Sequence, residues 1–433
     1  MMKRKVLVLW VMCFVLVGLL LTPVSNGAAR EKVRITFWGW GDFATAVETY
    51  LKVNFEKKNP EIEIVPVRLG PWDLMDKYLT CLAAGSGAPE VAELVRRRFS
   101  TYALSGGLLD LTDKAMKYKK DILPAAWDDT VFNGRVYGMA PSLCPSVVYY
   151  RKDISDKYGV DGKSIVTWDD FLEAGKKLTV DTNGDGEIDQ YMFQAFFPSG
   201  DWGASAWVMW AQSKKANIFT EDGKVIRNNR LAREIFEWYC DFGLKKGIAY
   251  KVAVNSPEYF AGLKEGRFVY QPFNIPTAAV IKRQAPELAG KWRVMSWPLW
   301  TKEDEPKYAG NWGGAVLTIA KQIKHKEEAW KFLEYISTSV EGQEGVWIAG
   351  YNQPTYIPVL KKSKIFEKGD PYFGGQVVYE VIKARVVPPW YYFHEAEVSN
   401  IVGNALDSVY AGERTAGEAW DWAEETIAKR LGR

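Results

Sequence analysis

Nine residues near the middle of the chain, Asp181-Thr182-Asn183-Gly184-Asp185-Gly186-Glu187-Ile188-Asp189, set side-chain oxygens at loop positions 1, 3, 5 and 9 and a glycine at position 6. Hard divalent cations take oxygen ligands in this arrangement, with the glycine making the sharp turn. Asp181, Asn183, Asp185, Glu187 and Asp189 are therefore a candidate calcium set. Position 12, where such loops supply a bidentate glutamate, is Met192. Two readings stay open: a structural calcium whose shell is completed from elsewhere, and a turn-rich loop held by Asx hydrogen bonds.

Catalytic raw material is sparse. The chain has two histidines, His325 and His394, so a His-rich zinc site or a His-driven hydrolase has little to work with. Beyond the N-terminal segment the cysteines are Cys81, Cys144 and Cys240, an odd and widely spaced set with no CxxC pair and no disulfide framework. There is no P-loop, no GxGxxG after a strand and no GxSxG elbow. Carboxylates are plentiful, but no spacing singles out a glycosidase pair. The expectation is a protein that is not an enzyme and requires no cofactor.

Aromatic residues are in surplus: 19 Trp, 22 Tyr and 20 Phe in 433 residues. Flat rings suit the apolar C–H faces of sugars, whose edges carry hydroxyls, although at least half of these tryptophans are expected to be core or surface packing.

The elements that must position such groups read as α/β. Val33 to Trp38 alternates as a strand. Asp42 is placed to cap a helix carrying Phe43, Val47, Leu51 and Phe55, which Asn59-Pro60 ends. Glu61 to Val65 is a second strand, about Trp72 to Ala84 a helix, and Val91 to Leu94 a third strand, a parallel-sheet pattern. Strands follow at Val136–Met139, Ser146–Tyr150, Phe268–Pro272 (ending at the proline) and Ala315–Ile319. Thr167 caps the helix Trp168 to Leu178. Leu231 to Phe242 is amphipathic, and a later helix buries Ala329, Phe332, Leu333 and Ile336. Thr415 to Glu418 forms a capping box before Trp420, Ala423, Ile427 and Leu431. The length calls for about two globular units, and no Gly/Ser-rich linker separates them, which points to lobes joined by several crossings around a cleft.

The N-terminus is different material. Lys3, Arg4 and Lys5 precede an unbroken apolar run from Val6 to Leu21, followed by Pro23, Ser25, Gly27, Ala28 and Ala29. The run is short of the roughly 20 residues that span a bilayer, and the three-part layout is that of a secretory signal peptide over residues 1–29. Those three cations account for the net charge of +3, so the remaining chain is near neutral. It offers no basic face for nucleic acid; Arg96-Arg97-Arg98 reads as a solvated run or an ion-pair cluster.

Several segments in order resemble the extracellular solute-binding proteins of carbohydrate ABC transporters, the group that contains the maltose-binding protein. They are Ile35 to Trp38, Ala84 to Val91, Tyr102 to Leu109, Asn133 to Gly138 with Tyr149 to Asp153, Thr167 to Phe171, and Gly313-Gly314 with Glu328 to Leu333. The resemblance covers nearly all of the exported chain. It implies a two-lobed α/β periplasmic-binding-protein fold with a hinge and an interlobe cleft. Lobe 1 would comprise residues 30–142 plus 312–360, and lobe 2 residues 143–311 plus 361–433. It further implies a monomer in the periplasmic or extracellular space, a sugar or oligosaccharide ligand, and a membrane permease as partner. The ligand residues it implies are Trp38, Trp40, Asp42, Phe273, Asn274, Asn311, Trp312, Trp390, Tyr391 and Tyr392, with Trp202 and Trp207 in the second lobe. Glu93 to Arg98 and Cys144 depart from the maltose-binding pattern, which argues for a different sugar. The alternatives are a secreted carbohydrate-active enzyme and a same-fold binder of a non-sugar ligand.

Overall fold

The computed structural model describes residues 31–197, 200–244, 247–391 and 393–432, the side chains of 200–202 and 244 excepted. The expected export segment therefore lies outside the described residues.

The first lobe is built on a five-stranded sheet. Strand β1 (Val33–Gly39) lies between β2 (Ile62–Arg68) and β3 (Val91–Val95), paired parallel with both. Ala315–Ile319 then pairs antiparallel with β3, and Gly138–Met139 antiparallel with it. The parallel pairing expected of the first three strands is present, and beyond them the sheet is mixed. The fourth arrives from the other lobe and enters the sheet from the opposite end.

After β1 the chain turns into a helix whose N-cap is Trp40, in extended conformation, rather than Asp42, which sits in the first turn. Residues Val47–Leu51 widen to a π turn before Lys52–Lys58 closes the helix. Phe43, Val47, Leu51 and Phe55 are all buried, as their four-residue spacing requires. The apolar faces of Pro71–Ala84 and Lys326–Thr338 complete this core.

In the second lobe Ser146–Arg151 is the centre of a three-stranded antiparallel sheet, with Tyr270–Asn274 and Trp292–Ser296 on its flanks. The strand expected to end at Pro272 runs on to Asn274. It is an edge strand, and a proline there forfeits no ladder hydrogen bond on its outer side. Helices Trp168–Leu178, Gly200–Ser213, Arg230–Leu244, Glu395–Tyr410 and Ala416–Leu431 surround this sheet. Thr167 and Thr415 both form complete capping boxes, with Asp170 and Glu418. The core is strongly aromatic: Trp168 lies 4.9 Å from Trp297 and 5.5 Å from both Trp210 and Phe242.

Three chain crossings join the two cores. Leu143 packs in the first core and Val147 in the second; Ala309 in the second and Val316 in the first; Val346 in the first and Trp347 in the second. The first two crossings are laced together: Ser146 N–H donates to Gly310 O (2.8 Å), Trp312 N–H to Cys144 O (3.1 Å), and Cys144 N–H to Asn311 Oδ1 (2.7 Å). The third docks beside them where Gln353 and Pro354 pair with Leu143 and Ser142. Gly314 allows this close approach. Its φ is +107°, and a Cβ there would stand 2.7 Å from Ser142 O.

Candidate ligand-binding cleft

Where β1 ends, its continuation Trp40-Gly41-Asp42 meets the crossing segment Trp312-Gly313-Gly314 over a cavity of about 320 Å³. The first lobe contributes Trp40, Asp42, Trp72, Glu93 and Arg97; the second contributes Asn274, Pro276 and Trp312. Cys144 and Asn352 line its floor at the crossings. The position follows from topology, because the C-terminal ends of β1 and β3 open at this edge of the sheet.

Each polar group has a defined setting. Glu93 is buried, and burial drives its carboxyl well above the usual carboxylate range, although the Trp40 N–H bonded to Oε2 at 3.0 Å pulls it back. Asn274 donates to Trp312 O at 3.0 Å and accepts from the Thr277 hydroxyl at 2.8 Å, which fixes the amide plane. Asp42 faces Arg283 of the second lobe at 3.5 Å. Burial pushes the Cys144 thiol up to about 12, so it is an un-ionised, packed group; its Sγ donates to Asn352 Oδ1 at 3.2 Å.

Beside this chamber, Arg97 and Trp312 also line a small cavity of about 30 Å³ together with Trp390 and Glu395. A larger cavity of about 920 Å³ lies between Trp127, Asp128, Phe132 and Asn133 of the first lobe and Glu221, Trp390, Tyr391 and Phe393 of the second. Burial raises the Asp128 carboxyl, with Glu221 across the gap adding to the effect. Asp129 is pushed up to about 6 by burial, against the pull of its partner Arg96.

Of the residues anticipated from sequence, Trp40, Asp42, Asn274 and Trp312 come together in the inner chamber, and Trp390 and Tyr391 line the outer one. Four sit in the packed interior instead. Trp38 is buried beneath Lys77, whose Nζ is 4.6 Å from the ring centre. Phe273 backs Trp312 at 4.9 Å. Asn311, with no exposure, spends its amide on Cys144 N–H and Gly313 O. Trp207 packs between Phe236 and Trp420. Tyr392 and the Trp202 side chain lie outside the described residues. Sequence reasoning missed Trp72, Glu93, Arg97, Pro276 and Asn352 as cleft residues. The signal for Glu93 was available: a lone glutamate in the middle of an otherwise apolar strand, Val91–Val95.

The acidic loop lies elsewhere. Asp181 accepts N–H bonds from Asn183, Gly184 and Gly186 at 2.6 to 3.1 Å, and Asp189 binds Thr182. Met192 is buried in the second core. Among the described residues no group of three or more His, Cys, Asp or Glu side chains converges as a metal site.

Comparison with known proteins places this geometry in context. A family model described as bacterial extracellular solute-binding protein matches residues 38–343. The arabinooligosaccharide-binding protein of Bacillus subtilis is 26% identical over 457 residues, covering 96% of this chain and 99% of its own. A relative of the same name from Halalkalibacterium halodurans is 28% identical over 339 residues, covering 75% and 72% of the two chains. Among solved structures, the ABC-transporter-associated binding protein of B. animalis subsp. lactis in complex with beta-1,6-galactobiose superimposes with a TM-score of 0.73 at 24% identity, covering 93% of this chain and 99% of that one. The sugar-binding protein MalE of Xanthomonas citri gives 0.75 at 20%, covering 92% and 97%. At these identities the likeness is one of fold, the two-lobed fold expected from sequence.

Proposed function

The chain belongs to the bacterial extracellular solute-binding proteins, and on that premise we propose that it captures a sugar or oligosaccharide between its lobes and delivers it to the permease of an ABC transporter. The single observation that carries the reading is the inner chamber, where three tryptophans and at least four hydrogen-bonding side chains from both lobes meet at the crossings. Trp40, Trp72 and Trp312 offer ring faces to the C–H surfaces of a sugar, and Asp42, Glu93, Arg97, Asn274 and Asn352 surround its hydroxyls. Because the groups come from both lobes, a ligand that bridges them stabilises the lobes together, which is the state a permease can distinguish.

Capture is non-covalent in this account, with no chemical step and no metal in the cleft. The curated relatives named for arabinooligosaccharides make that class the first to test. A buried hydroxyl partner left unpaired by a wrong epimer costs about 1–3 kcal/mol, which sets the selectivity at roughly 5- to 150-fold per contact. Export through the N-terminal segment belongs to the same proposal. The test is a thermal-shift screen of the exported chain against arabino-, galacto- and gluco-oligosaccharides. A ligand at 100 times its dissociation constant stabilises by about 2.7 kcal/mol. Shifts from charged small molecules alone, with none from any saccharide, contradict the reading; release of shorter sugars on incubation contradicts the non-enzymatic part.

A further inference from the structure

Between the residues that line the two chambers stands an ion pair that spans the lobes. Arg97, in the short 3-10 turn Arg96–Arg98 of the first lobe, binds Glu395 Oε1 through Nη1, and Glu395 is the first residue of the helix Glu395–Tyr410 of the second. Arg98 Nε approaches the other carboxylate oxygen at 3.2 Å, and the Ser399 hydroxyl donates to Oε1 at 2.7 Å. The ring of Trp72 lies 5.3 Å from the Arg97 guanidinium and 4.8 Å from that of Arg98, holding both in place. Arg97 and Glu395 are both buried. The cavity beside them, about 30 Å³, is small against the two chambers, about 320 and 920 Å³.

We propose that the Arg97–Glu395 pair is a specificity-determining barrier that sets the length of saccharide this protein accepts. The inference rests on the saccharide reading above. With the pair formed, a ligand anchored against Trp40 and Trp312 is confined to the inner chamber, at the small end of the range for ligand sites, while the larger aromatic chamber beyond Trp390 is cut off from it. Short chains fill the inner chamber. A longer chain must break a buried, hydrogen-bonded ion pair before its next unit can cross, and that cost falls on long ligands alone.

The experiment is calorimetric titration of the exported wild-type chain with arabinobiose and arabinotetraose, and with the matching di- and tetrasaccharides of galactose and glucose. It is repeated on Glu395→Gln and on the double variant Arg97→Gln/Glu395→Gln, which leaves fewer buried charges uncompensated if the single change unfolds the protein. The wild type is expected to favour the disaccharide at least tenfold over the tetrasaccharide of its preferred sugar, and the variants to shrink that ratio at least tenfold. A wild type that binds both lengths equally overturns the inference with no variant needed. So does an equal loss of affinity at both lengths in the variants, which would make the pair a clasp between lobes and not a length filter. Absence of binding to every saccharide in the wild type overturns the functional reading itself and is distinct from both.

Discussion

Tryptophan does two different jobs in the two regions where it is densest. In the second core Trp168 is almost fully buried among Phe171, Trp210, Trp238, Phe242 and Trp297, with ring centres 4.9 to 5.8 Å apart in tilted and edge-on arrangements. In the cleft Trp312 packs on Phe273 and lines the inner chamber, and Trp40 and Trp72 line the same space. Residue type is therefore no guide to function here. What separates the sets is whether the ring is enclosed in a cluster of other rings or lines the cavity between the lobes.

The comparison breaks most visibly at the core. Trp168→Ala is expected to cost about 3–5 kcal/mol of stability, measured by denaturant unfolding, because it opens a cavity among rings that cannot collapse into it. A loss near 1 kcal/mol would mean that the aromatic core is plastic. Trp312→Ala or Trp40→Ala should leave the unfolding midpoint of the free protein close to wild type and lower saccharide affinity by about 2 kcal/mol, roughly thirtyfold, in calorimetric titration. Unchanged affinity with reduced stability would move those rings into the structural class.

Glu93→Gln sharpens the cleft side. Burial raises the Glu93 carboxyl, so the folded state holds its proton more tightly than the unfolded chain does. Its contribution to stability is present below the unfolded value near 4.5 and is lost as pH rises through the folded value. The glutamine variant should therefore gain melting temperature relative to wild type as pH rises above 4.5, the two converging in acid. Parallel melting profiles would place Glu93 in a solvated setting. The smallest effect belongs to Trp72, which is more than a third exposed. Trp72→Ala should lower stability in denaturant unfolding by about 0.5–1 kcal/mol, the worth of its exposed contacts with Arg97 and Arg98.

Much of the scaffold was legible because its signals are local. The four-residue spacing of Phe43, Val47, Leu51 and Phe55, the Thr167 and Thr415 capping boxes and the alternation in Val33 to Trp38 depend on neighbours in sequence, and the elements appear there. Pro272 misled because a proline ends a central strand but not an edge strand, and edge status is a tertiary property. The site was legible in part for the same reason. Trp40 and Trp312 follow a strand end and precede a glycine pair, both visible in sequence. Phe273 and Asn311 flank residues that do line the cavity, and a one-residue step along extended backbone turns a side chain to the other face. The Arg97–Glu395 contact joins positions 298 residues apart, and no local pattern announces it.

The most direct test of saccharide capture between the lobes is a calorimetric titration of the exported wild-type chain and its Trp312→Ala variant with the saccharide that gives the largest thermal shift. The account predicts saturable one-to-one binding by the wild type, weakened about thirtyfold in the variant. Binding of equal strength in both proteins would place the ligand outside this cleft and contradict the account.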